Sequence, residues 1–509
     1  MNRPVDPVRI GDSPLTVADV VHVADGAPVE LAEAASARMA AARAVVQELV
    51  DGDELIYGLN TGLGHMRDVR VPVDSLRRYQ EAILRSHDGG LGEPLPTRVV
   101  RAAMAVRVAG LATGGAGASV AAAETLVAML NRGVHPIVST VGSVGASDLM
   151  HMAAIAVVAT GLGGRAEVGG EVLPGPEAMR RAGIAPFVMG PKDGLALISA
   201  NAVSVGHAAL VVDRAEATVV AADLAVATSL EAVRGNLSIV DPIVAAAKPV
   251  PGQAASAAEI RGLLAGSDLL LPGGPRSVQD PLSFRVAPQV HGAFREFIRF
   301  LAEAVDVELE ASDDNPYVSV DERRLISNGN FHPMVLALAA DAARPAAAHV
   351  GLLSDRRLSH LWKTIWEIAP EADEEEVQTA GAGGLFLRYA AAARYAELRS
   401  MVDPVTLDIT PLDQEIEDHA TNAPFAVART SEALERVEDI LVIELLFARQ
   451  TIRHRSGSGT LGSGVAAAIE ALDSVVSGLG AEATSDAIHA SVRLALHDRI
   501  VPAAMMAAG

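Results

Sequence analysis

Apolar residues recur at spacings of three and four along most of this chain, and this period is the feature that most constrains its fold. Leu31–Leu49, an alanine-rich stretch, follows the spacing and is succeeded by Asp51-Gly52. The spacing places apolar side chains on one face of an α-helix, and the glycine is typical of a helix end. The same argument predicts further helices at Thr97–Leu111, Val120–Leu130, Ser204–Leu230, Val290–Leu309, Met334–Leu353, Leu385–Met401 and Ser431–Arg449.

Composition supports a helical fold. Half of the 509 residues are hydrophobic, yet only 3% are aromatic. The core must therefore consist mainly of alanine, valine, leucine and isoleucine. Such side chains favour long, closely packed helices over a sandwich of strands rich in aromatic residues. We predict an all-α protein.

The charge balance and the missing residue types exclude several classes of function. The chain has 41 basic and 63 acidic side chains, a net charge of −22. This charge repels nucleic acid and anionic membranes, so no partner of either kind is expected. Without cysteine there is no disulfide, thiolate nucleophile or cysteine-based metal site. No histidine and carboxylate pair has convincing ligand spacing, so no metal is expected either.

Two segments bear on the location of the protein. The first residues, MNRPVDPVRIGDSP, lack the apolar core of a signal peptide. The most apolar run, Gly194–Val212, is long enough to suggest a membrane span, but it contains Ser199, Asn201, Ser204 and His207. We interpret it as a buried helix and expect a soluble, cytoplasmic protein.

Polar connections rich in glycine, proline and aspartate separate the predicted helices. On a helical scaffold, functional side chains are usually carried by such connections. A further segment, residues 251–277, is rich in alanine, serine, glycine and proline and is expected to be a mobile loop. The polar connections are Tyr57–Met66, Ser86–Pro96, Pro136–Met152, Val278–Ala287, Ser312–His332 and Pro404–His419.

Eight short motifs, taken in order, point to one family. They are YGLNTGLG (Tyr57–Gly64), RSHDGGLGEPLP (Arg85–Pro96), KDGLALI (Lys192–Ile198), QDPLSFRVAPQVHGA (Gln279–Ala293), DDNP (Asp313–Pro316), GNFH (Gly329–His332), LSDRR (Leu353–Arg357) and EDH (Glu417–His419). In this order they resemble the motifs of the aromatic amino acid lyases, the histidine ammonia-lyase family. The likeness spans roughly residues 30 to 450.

The resemblance implies an all-α architecture of the fumarase/aspartase type, a long helical bundle with an N-terminal, loop-rich active-site region. It places the active-site domain at residues 1–205 and the central and C-terminal helical bundle at residues 206–509. It also implies a homotetramer whose active sites draw on more than one subunit. The expected partner is a small-molecule substrate, an amino acid or a betaine.

The family's reaction removes an amine from the α-carbon and a proton from the β-carbon, and it needs a base. Tyr57 is the candidate, because it lies in a loop rich in glycine and asparagine rather than on a helix face. A phenol acts as a base only where its surroundings favour the phenolate. The alternative is a tyrosine that only closes the core through a hydrogen bond.

The resemblance also implies residues that hold the substrate. Arg285 would bind the carboxylate through two parallel hydrogen bonds, helped by Asn315, although an isolated arginine is more often part of a surface salt bridge. His87 and Glu417 match the positions that hold the imidazole ring in the histidine-specific enzymes, which favours an imidazole-type substrate. The other candidate substrate contacts are Asn60, Ser199, Gln279, Leu282, Phe331, Phe386 and Arg388.

The loop that should carry the prosthetic group is altered. Gly142–Met152 reads GSVGASDLMHM, whereas the family's loop reads GSVGASGDLAPLAHM. In the family, Ala-Ser-Gly cyclises into an electrophilic methylidene-imidazolone, when the nitrogen of the third residue attacks the carbonyl of the first. Here the triplet is Ala146-Ser147-Asp148, and four residues before the His-Met pair are missing. Glycine suits the compressed backbone of the ring, whereas Asp148 brings a β-carbon and a charge.

Two further departures concern the same group, since Ser199 replaces an asparagine and Leu282 replaces a tyrosine. The base, the clamp and the ring pocket are retained, so the losses are concentrated around the electrophile. This pattern predicts a carbon–nitrogen lyase without the prosthetic group. It would act on histidine or a histidine-derived, N-methylated betaine and give a urocanate-type product, like the ergothioneine-cleaving lyases.

Two alternatives to this function stay open at this point, and the role of Asp148 is open as well. Ala146-Ser147-Asp148 could still cyclise in a conventional ammonia-lyase, or the chain could be a non-catalytic homologue. Asp148 itself could hold a trimethylammonium group, or be the family's ordinary aspartate displaced by the deletion. Phe331 and Phe386 are the aromatic candidates for a methylammonium site.

Overall fold

The structure is a computed structural model. It describes residues 6–50, 52–368, 387–407, 409–455, 459–480 and 483–509. The chain forms two compact units. The first comprises Met1–Asp213, Leu301–Asp341 and Pro404–Ala428. The second comprises Arg214–Phe300, Ala342–Asp403 and Arg429–Gly509. The predicted division at residues 205 and 206 stays a prediction.

Helices form most of the described chain, and all eight that the apolar spacing predicts are present. In chain order they are α1 (Val17–Ala24), α2 (Glu33–Val50), α3 (Leu76–His87), α4 (Thr97–Ala112), α5 (Val120–Asn131), α6 (Leu149–Ala159), α7 (Gly175–Arg181), α8 (Asp193–Ile198), α9 (Ala202–Val233), α10 (Pro242–Ala247), α11 (Pro251–Leu263), α12 (Leu282–Arg285), α13 (Ala287–Glu310), α14 (Met334–Ile368), α15 (Leu387–Arg399), α16 (Ala423–His454), α17 (Ser463–Ser477), α18 (Ser485–Ala495) and α19 (Val501–Ala508).

Short strands are confined, among the described residues, to the first unit. They are β1 (Val8–Ile10), β2 (Val29–Leu31), β3 (Leu91–Pro94), β4 (His135–Pro136), β5 (Ser139–Val141), β6 (Arg165–Val168), β7 (Glu171–Pro174), β8 (Tyr317–Ser319) and β9 (Arg324–Ile326). The pair β1–β2 is parallel, with Val8 opposite Val29. The pairs β3–β5, β4–β6, β6–β7 and β8–β9 are antiparallel. They are small sheets beside a helical core.

The most apolar run of the sequence is a buried helical segment, as predicted. Among the described residues, Asp193–Val233 is long and apolar enough to cross a membrane by length and composition. Of its most apolar window, 89% is buried inside the protein, as in the core helix of a globular fold. The cytoplasmic location stays a prediction.

The expectation of a mobile loop over residues 251–277 is wrong for its first half. Helix α11 begins at Pro251, whose fixed φ suits the first turn of a helix. Its alanines favour the helix, and Ile260 and Leu263 are fully buried. Gly252 lies so close to Gly292 of α13 that an added β-carbon would be 2.3 Å from its carbonyl oxygen. The small residues that suggested a loop serve close helix packing instead.

A buried arginine positions the segment that leads into the site. Arg107 of α4 is fully buried, and its guanidinium lies 2.8 Å from Asp314 and 3.5 Å from Asp313. Asp313 also accepts the backbone N–H of Asn201, in the break between α8 and α9, at 2.6 Å. The pair of aspartates therefore fixes Asn315, the next residue along the chain.

Candidate active site

A cavity of about 580 Å³ lies in the first unit, within the size range of small-molecule sites. Five residues predicted from the sequence line it: Tyr57, Ala146, Asn315, Phe331 and Glu417. They come from separate segments of the chain. The structure therefore brings the candidate base, one end of the altered loop and half of the ring pocket to one place.

The other predicted residues that the structure describes do not line this cavity. Asn60, Ser147, Asp148 and Ser199 are buried within the first unit, and His87 ends helix α3. Gln279, Leu282, Arg285 and Arg388 belong to the second unit. Phe386 lies outside the described residues.

The surroundings of Tyr57 favour its neutral phenol. Burial raises the pKa of Tyr57, and the carboxylates of Glu417 and Asp413 raise it further. The backbone N–H of Gly64, 3.5 Å from the phenol oxygen, and the guanidinium of Arg67 act in the opposite direction. In this state the phenolate is disfavoured, so a base role for Tyr57 needs additional positive charge near the ring.

His87 and Glu417 are close enough to interact electrically. Burial raises the pKa of Glu417, as does Asp413, while His87 lowers it. His87 Nδ1 lies 2.8 Å from the carbonyl oxygen of Ile83, which can only accept a hydrogen bond, so Nδ1 is the donor. In the neutral ring Nε2 is then an acceptor. A neutral His87 and the Glu417 carboxylate are two acceptors, which suits a ring with two N–H groups such as an imidazolium.

Asn315 keeps a donor for a substrate oxygen. Its amide oxygen accepts the N–H of Asn328 at 3.1 Å and the hydroxyl of Ser327 at 3.4 Å. Its backbone N–H donates to Ser199 Oγ at 3.3 Å. With the oxygen engaged, the side-chain Nδ2 is the group that can donate to a carboxylate. The assisting role of Asn315 towards a carboxylate stays a prediction.

Asn60 has a different use. Its side-chain oxygen accepts the N–H of Ile56 at 2.8 Å, and its Nδ2 donates to the carbonyl of Glu54 at 2.9 Å. Both contacts are within the loop that carries Tyr57. In this structure Asn60 holds the shape of that loop and does not face the cavity.

The altered loop is held by backbone hydrogen bonds. Ser147 has a left-handed φ of 59° and donates its N–H to the carbonyl of Phe331 at 3.0 Å. The N–H of Asp148 donates to the carbonyl of Ala200 at 2.7 Å. Ser143 Oγ donates to the carbonyl of Ser147 at 3.2 Å. The loop thus has a defined conformation in its uncyclised form.

The carboxylate of Asp148 is fully buried and accepts three hydrogen bonds. Ser143 Oγ donates to Oδ1 at 2.9 Å, and Ser204 donates through its N–H to Oδ2 at 2.7 Å and through Oγ to Oδ1 at 3.0 Å. Ser204 lies in the first turn of α9, where backbone N–H groups have no partner within the helix. A carboxylate there caps the helix and complements its dipole. Of the two interpretations of Asp148, this geometry favours the structural one.

These residues fit an uncyclised loop better than the methylidene-imidazolone ring. Ring closure requires the nitrogen of Asp148 to attack the carbonyl of Ala146, but that nitrogen is bound to Ala200. The Asp148 side chain is held in a buried pocket, which opposes the movement. Ser199, which replaces the family's asparagine, instead pairs with Asn315.

The predicted residues Arg388, Leu282 and Arg285 lie in the second unit. Arg388 donates to Asp355 Oδ1 at 2.7 Å and to Ser359 Oγ at 3.0 Å. Leu282 begins helix α12 and is 60% exposed, and Arg285 ends the same helix. The candidate clamp is therefore on a short helix at the surface of its own unit.

Two histidines for which the sequence predicts no role lie in the cavity. His332 Nε2 lies 3.1 Å from His419 Nδ1, and both rings line the cavity. Burial lowers the pKa of His332, and a charge on His419 lowers it further. Protonation of both rings at the same time is therefore unfavourable. The signal was present, because the motifs GNFH and EDH both end in a histidine.

The chain is similar to known proteins over most of its length. The family model of the aromatic amino acid lyases matches residues 15–474. Histidine ammonia-lyase of Gloeobacter violaceus is 37% identical over 465 residues, which cover 91% of this chain and 90% of that protein. The solved structure of the ergothioneine-degrading enzyme ergothionase from Treponema denticola, in complex with desmethyl-ergothioneine sulfonic acid, has a TM-score of 0.87 at 26% identity, over 97% of this chain and 99% of that chain. Histidine ammonia-lyase from Trypanosoma cruzi has the same TM-score and identity, over 98% and 95%.

These likenesses agree with the fold. They confirm the predicted helical architecture of the fumarase/aspartase type. Matches of this extent include both the loops around the cavity and the helices that support them. The chain therefore belongs to the aromatic amino acid lyase family, as a carbon–nitrogen lyase of the histidine type.

Proposed function

We propose that the protein eliminates an amine from a histidine-derived betaine without a methylidene-imidazolone, giving a urocanate-type product. The observation that carries the proposal is the hydrogen bonding of Asp148. At the position where the family forms the ring, its N–H donates a hydrogen bond and its carboxylate accepts one. Tyr57 and Glu417 nevertheless line the cavity. The sequence departs from the family at the electrophile and keeps the residues for base and ring.

The chemistry of the leaving group supports a quaternary nitrogen. In the elimination, the base takes a proton from the β-carbon, that bond's electron pair forms the carbon–carbon double bond, and the carbon–nitrogen bond breaks. A trimethylammonium group leaves as neutral trimethylamine and keeps the electron pair of the broken bond. An ammonium ion of this kind needs no electrophile to activate it. The likeness to ergothionase, whose name states that it degrades ergothioneine, supports the same class of substrate.

The electrostatics of the cavity suit a cationic substrate. Three carboxylates, of Asp68, Glu417 and Asp418, line it against one guanidinium, of Arg67, and Phe331 adds an aromatic ring. A permanent positive charge beside Tyr57 would favour its phenolate, against the burial that raises its pKa. Tyr57 would then take the β-proton, and His87 with Glu417 would hold the imidazole ring.

The carboxylate clamp is proposed to come from another copy of the chain. Arg285 and Gln279 do not line the cavity of the first unit, and Leu282 beside them is exposed. The family resemblance implies a homotetramer with shared active sites. We propose that Arg285 of one copy, with Asn315 of another, binds the substrate carboxylate.

Substrate choice tests the proposal directly. The purified protein is incubated with histidine, histidine betaine and ergothioneine, and the ultraviolet absorbance of a urocanate-type product is followed. We expect product from a betaine and release of trimethylamine. Product from free histidine alone would overturn the betaine proposal and favour the conventional ammonia-lyase.

Mass spectrometry tests the missing ring separately. The peptide that contains Ala146-Ser147-Asp148 is expected at its unmodified mass, and a mass lower by two waters would overturn the proposal. The Asp148→Gly variant is the matched comparison, because it restores the family's triplet without the four missing residues. We expect it to stay unmodified as well.

A further inference from the structure

One carboxylate joins the two loops that face each other across the cavity. Asp413 Oδ2 accepts the backbone N–H of His65 at 2.9 Å, and its Oδ1 lies 2.5 Å from His65 Nδ1. Gly64 packs so closely on this carboxylate that a β-carbon at Gly64 would overlap it. Because 348 residues separate the two partners along the chain, the contact fixes two distant segments to each other.

Each of these loops supplies part of the cavity wall. The first loop, residues 55–68, carries Tyr57 and Gly64, whose N–H reaches the Tyr57 oxygen at 3.5 Å. The second loop, residues 412–419, carries Glu417 and the wall residues beside it. The N–H and carbonyl groups of Leu412 and Glu417 pair at 2.8 and 3.2 Å and close this second loop. Asp413 is thus one residue from the hydrogen-bonded pair that places Glu417.

The backbone around Asp413 is strained. Asp413, Gln414 and Glu415 have left-handed φ values of 45°, 55° and 66°, although none of them is glycine. Residues with a β-carbon adopt this region at an energetic cost and keep it only where the surrounding contacts hold it. The two bonds from His65 are contacts of this kind. Strained backbone that other groups hold in place is concentrated at functional sites.

The charge of Asp413 also affects the pKa values of Tyr57 and Glu417. Its hydrogen bond with His65 lowers the pKa of Asp413 against the effect of burial, and the charges of His65 and Arg67 help. Asp413 in turn raises the pKa of Tyr57 and of Glu417. The charged or titratable groups around it are Tyr57, His65 and Arg67 from the first loop and Glu417 from its own loop.

We infer that Asp413 is a positioning residue, which through His65 holds the Tyr57 loop and the Glu417 loop in the geometry that one substrate requires. The inference rests on the proposed function for the roles of Tyr57 and Glu417. It concerns the placement of the base relative to the ring-binding carboxylate. A displacement of about 1 Å between such groups can lower a rate by on the order of 100-fold.

Hydrogen–deuterium exchange tests the connection without any need for activity. The variants are Asp413→Ala and His65→Ala in the full chain, with Asp25→Asn as the matched control. Asp25 forms an exposed ion pair of 2.6 Å with Arg98 in the same unit and does not line the cavity. We expect either test variant to speed exchange in both loops, and the control to speed it in neither. Faster exchange confined to the substituted loop would overturn the inference.

The positioning role is tested by steady-state kinetics, measured with a substrate that the wild-type protein converts. Asp413→Ala and His65→Ala are each expected to lower kcat/KM by roughly tenfold or more, and the double variant by no more than the worse single one. Additive losses would contradict a shared role.

The pH dependence of kcat/KM distinguishes two roles. In one, Asp413 acts on Tyr57 through its charge as well as through its hydrogen bonds, and in the other its role is only structural. In Asp413→Asn the oxygen still accepts the N–H of His65, but the negative charge is gone. Since that charge raises the pKa of Tyr57, the rising limb of kcat/KM should move to lower pH. In His65→Ala the charge stays, so the limb should not move that way. An identical shift in both variants would contradict the inference, and no turnover by the wild type would instead reject the proposed function alone.

Discussion

At the scale of single residues, Asp148 illustrates what a sequence motif can leave undecided. The motif shows an aspartate in place of glycine but does not show its partners. The partner that decides its role is Ser204, 56 residues further along the chain, whose N–H and hydroxyl both bind the carboxylate. Burial of all three groups makes each bond costly to lose, because an unpaired buried donor has no water to replace its partner.

Asp148→Ala should lower the free energy of unfolding by about 2–4 kcal/mol, since it removes three hydrogen bonds and the cap of α9. The measurement is urea-induced unfolding followed by circular dichroism. Asp321→Ala, at an exposed position of the same unit, is the control and should change stability by less than about 0.5 kcal/mol. Equal stabilities of the two variants would mean that Asp148 is not a structural carboxylate.

At the scale of helices, α11 demonstrates that small residues can indicate either a loop or close packing. Composition alone favoured a loop over residues 251–277, because the segment is rich in alanine, serine, glycine and proline. In the structure Gly252 lets α11 approach α13 at Gly292. Such proximity depends on a partner helix, and a single segment of sequence carries no information about its partner.

Gly252→Ala should destabilise the protein by about 1–3 kcal/mol, because the new methyl group would overlap the Gly292 carbonyl. Gly262→Ala in the same helix is the matched control. A β-carbon there would meet nothing closer than 3.8 Å, so the substitution should be neutral or stabilise by about 0.5–1 kcal/mol. Thermal unfolding of both variants checks the prediction, and similar effects of the two changes would contradict it.

A buried carboxylate joins three elements of the second unit. Glu438 of α16 is fully buried and accepts hydrogen bonds from Arg214 at 2.6 Å and Thr218 at 2.7 Å in α9, and from Arg493 in α18. His497 Nε2 lies 3.1 Å from it. Burial alone would raise the pKa of Glu438, but the bonds from His497 and Arg214 and the nearby charges lower it to about 2.

Since this folded-state pKa lies below the usual value of 4.5, the stabilisation is present above pH 4.5 and is lost as the pH falls towards 2. Glu438→Gln should therefore cost on the order of 3 kcal/mol at pH 7 and much less at pH 3. Glu435→Gln is the control, because Glu435 is 49% exposed and also pairs with Arg214. It should cost less than about 1 kcal/mol at either pH. Urea unfolding at both pH values is the measurement, and equal costs for the two variants would reject the role of Glu438.

At the scale of the whole molecule, the helices and the family could be predicted from the sequence, whereas the electrostatics of the site could not. The period of three and four depends on neighbouring residues, so it is visible in the chain, and the motifs identify Tyr57, Asn315 and Glu417 as cavity residues. The raised pKa of Tyr57 and the contact of His65 with Asp413 depend on groups brought together by folding. No local pattern encodes them.

Complementation tests the proposed assembly. Tyr57→Phe and Arg285→Met should each abolish most activity when alone, because one lacks the base and the other the carboxylate clamp. If the two residues act in one site from different subunits, unfolding and refolding the variants together should restore roughly a quarter of the sites, on random assortment of the two groups. No recovery in mixed oligomers would indicate that each chain completes its own site.

The hydrogen bonds of Asp148 bear on how such a protein could change over evolutionary time. A ring formed from this triplet would need glycine at this position, yet glycine would leave the first turn of α9 without its cap. The loss of the cap would come with this mutation, whereas the ring would still lack the four residues that are missing from the loop. A single substitution to glycine is therefore not neutral, so the side chain of Asp148 makes its own replacement difficult.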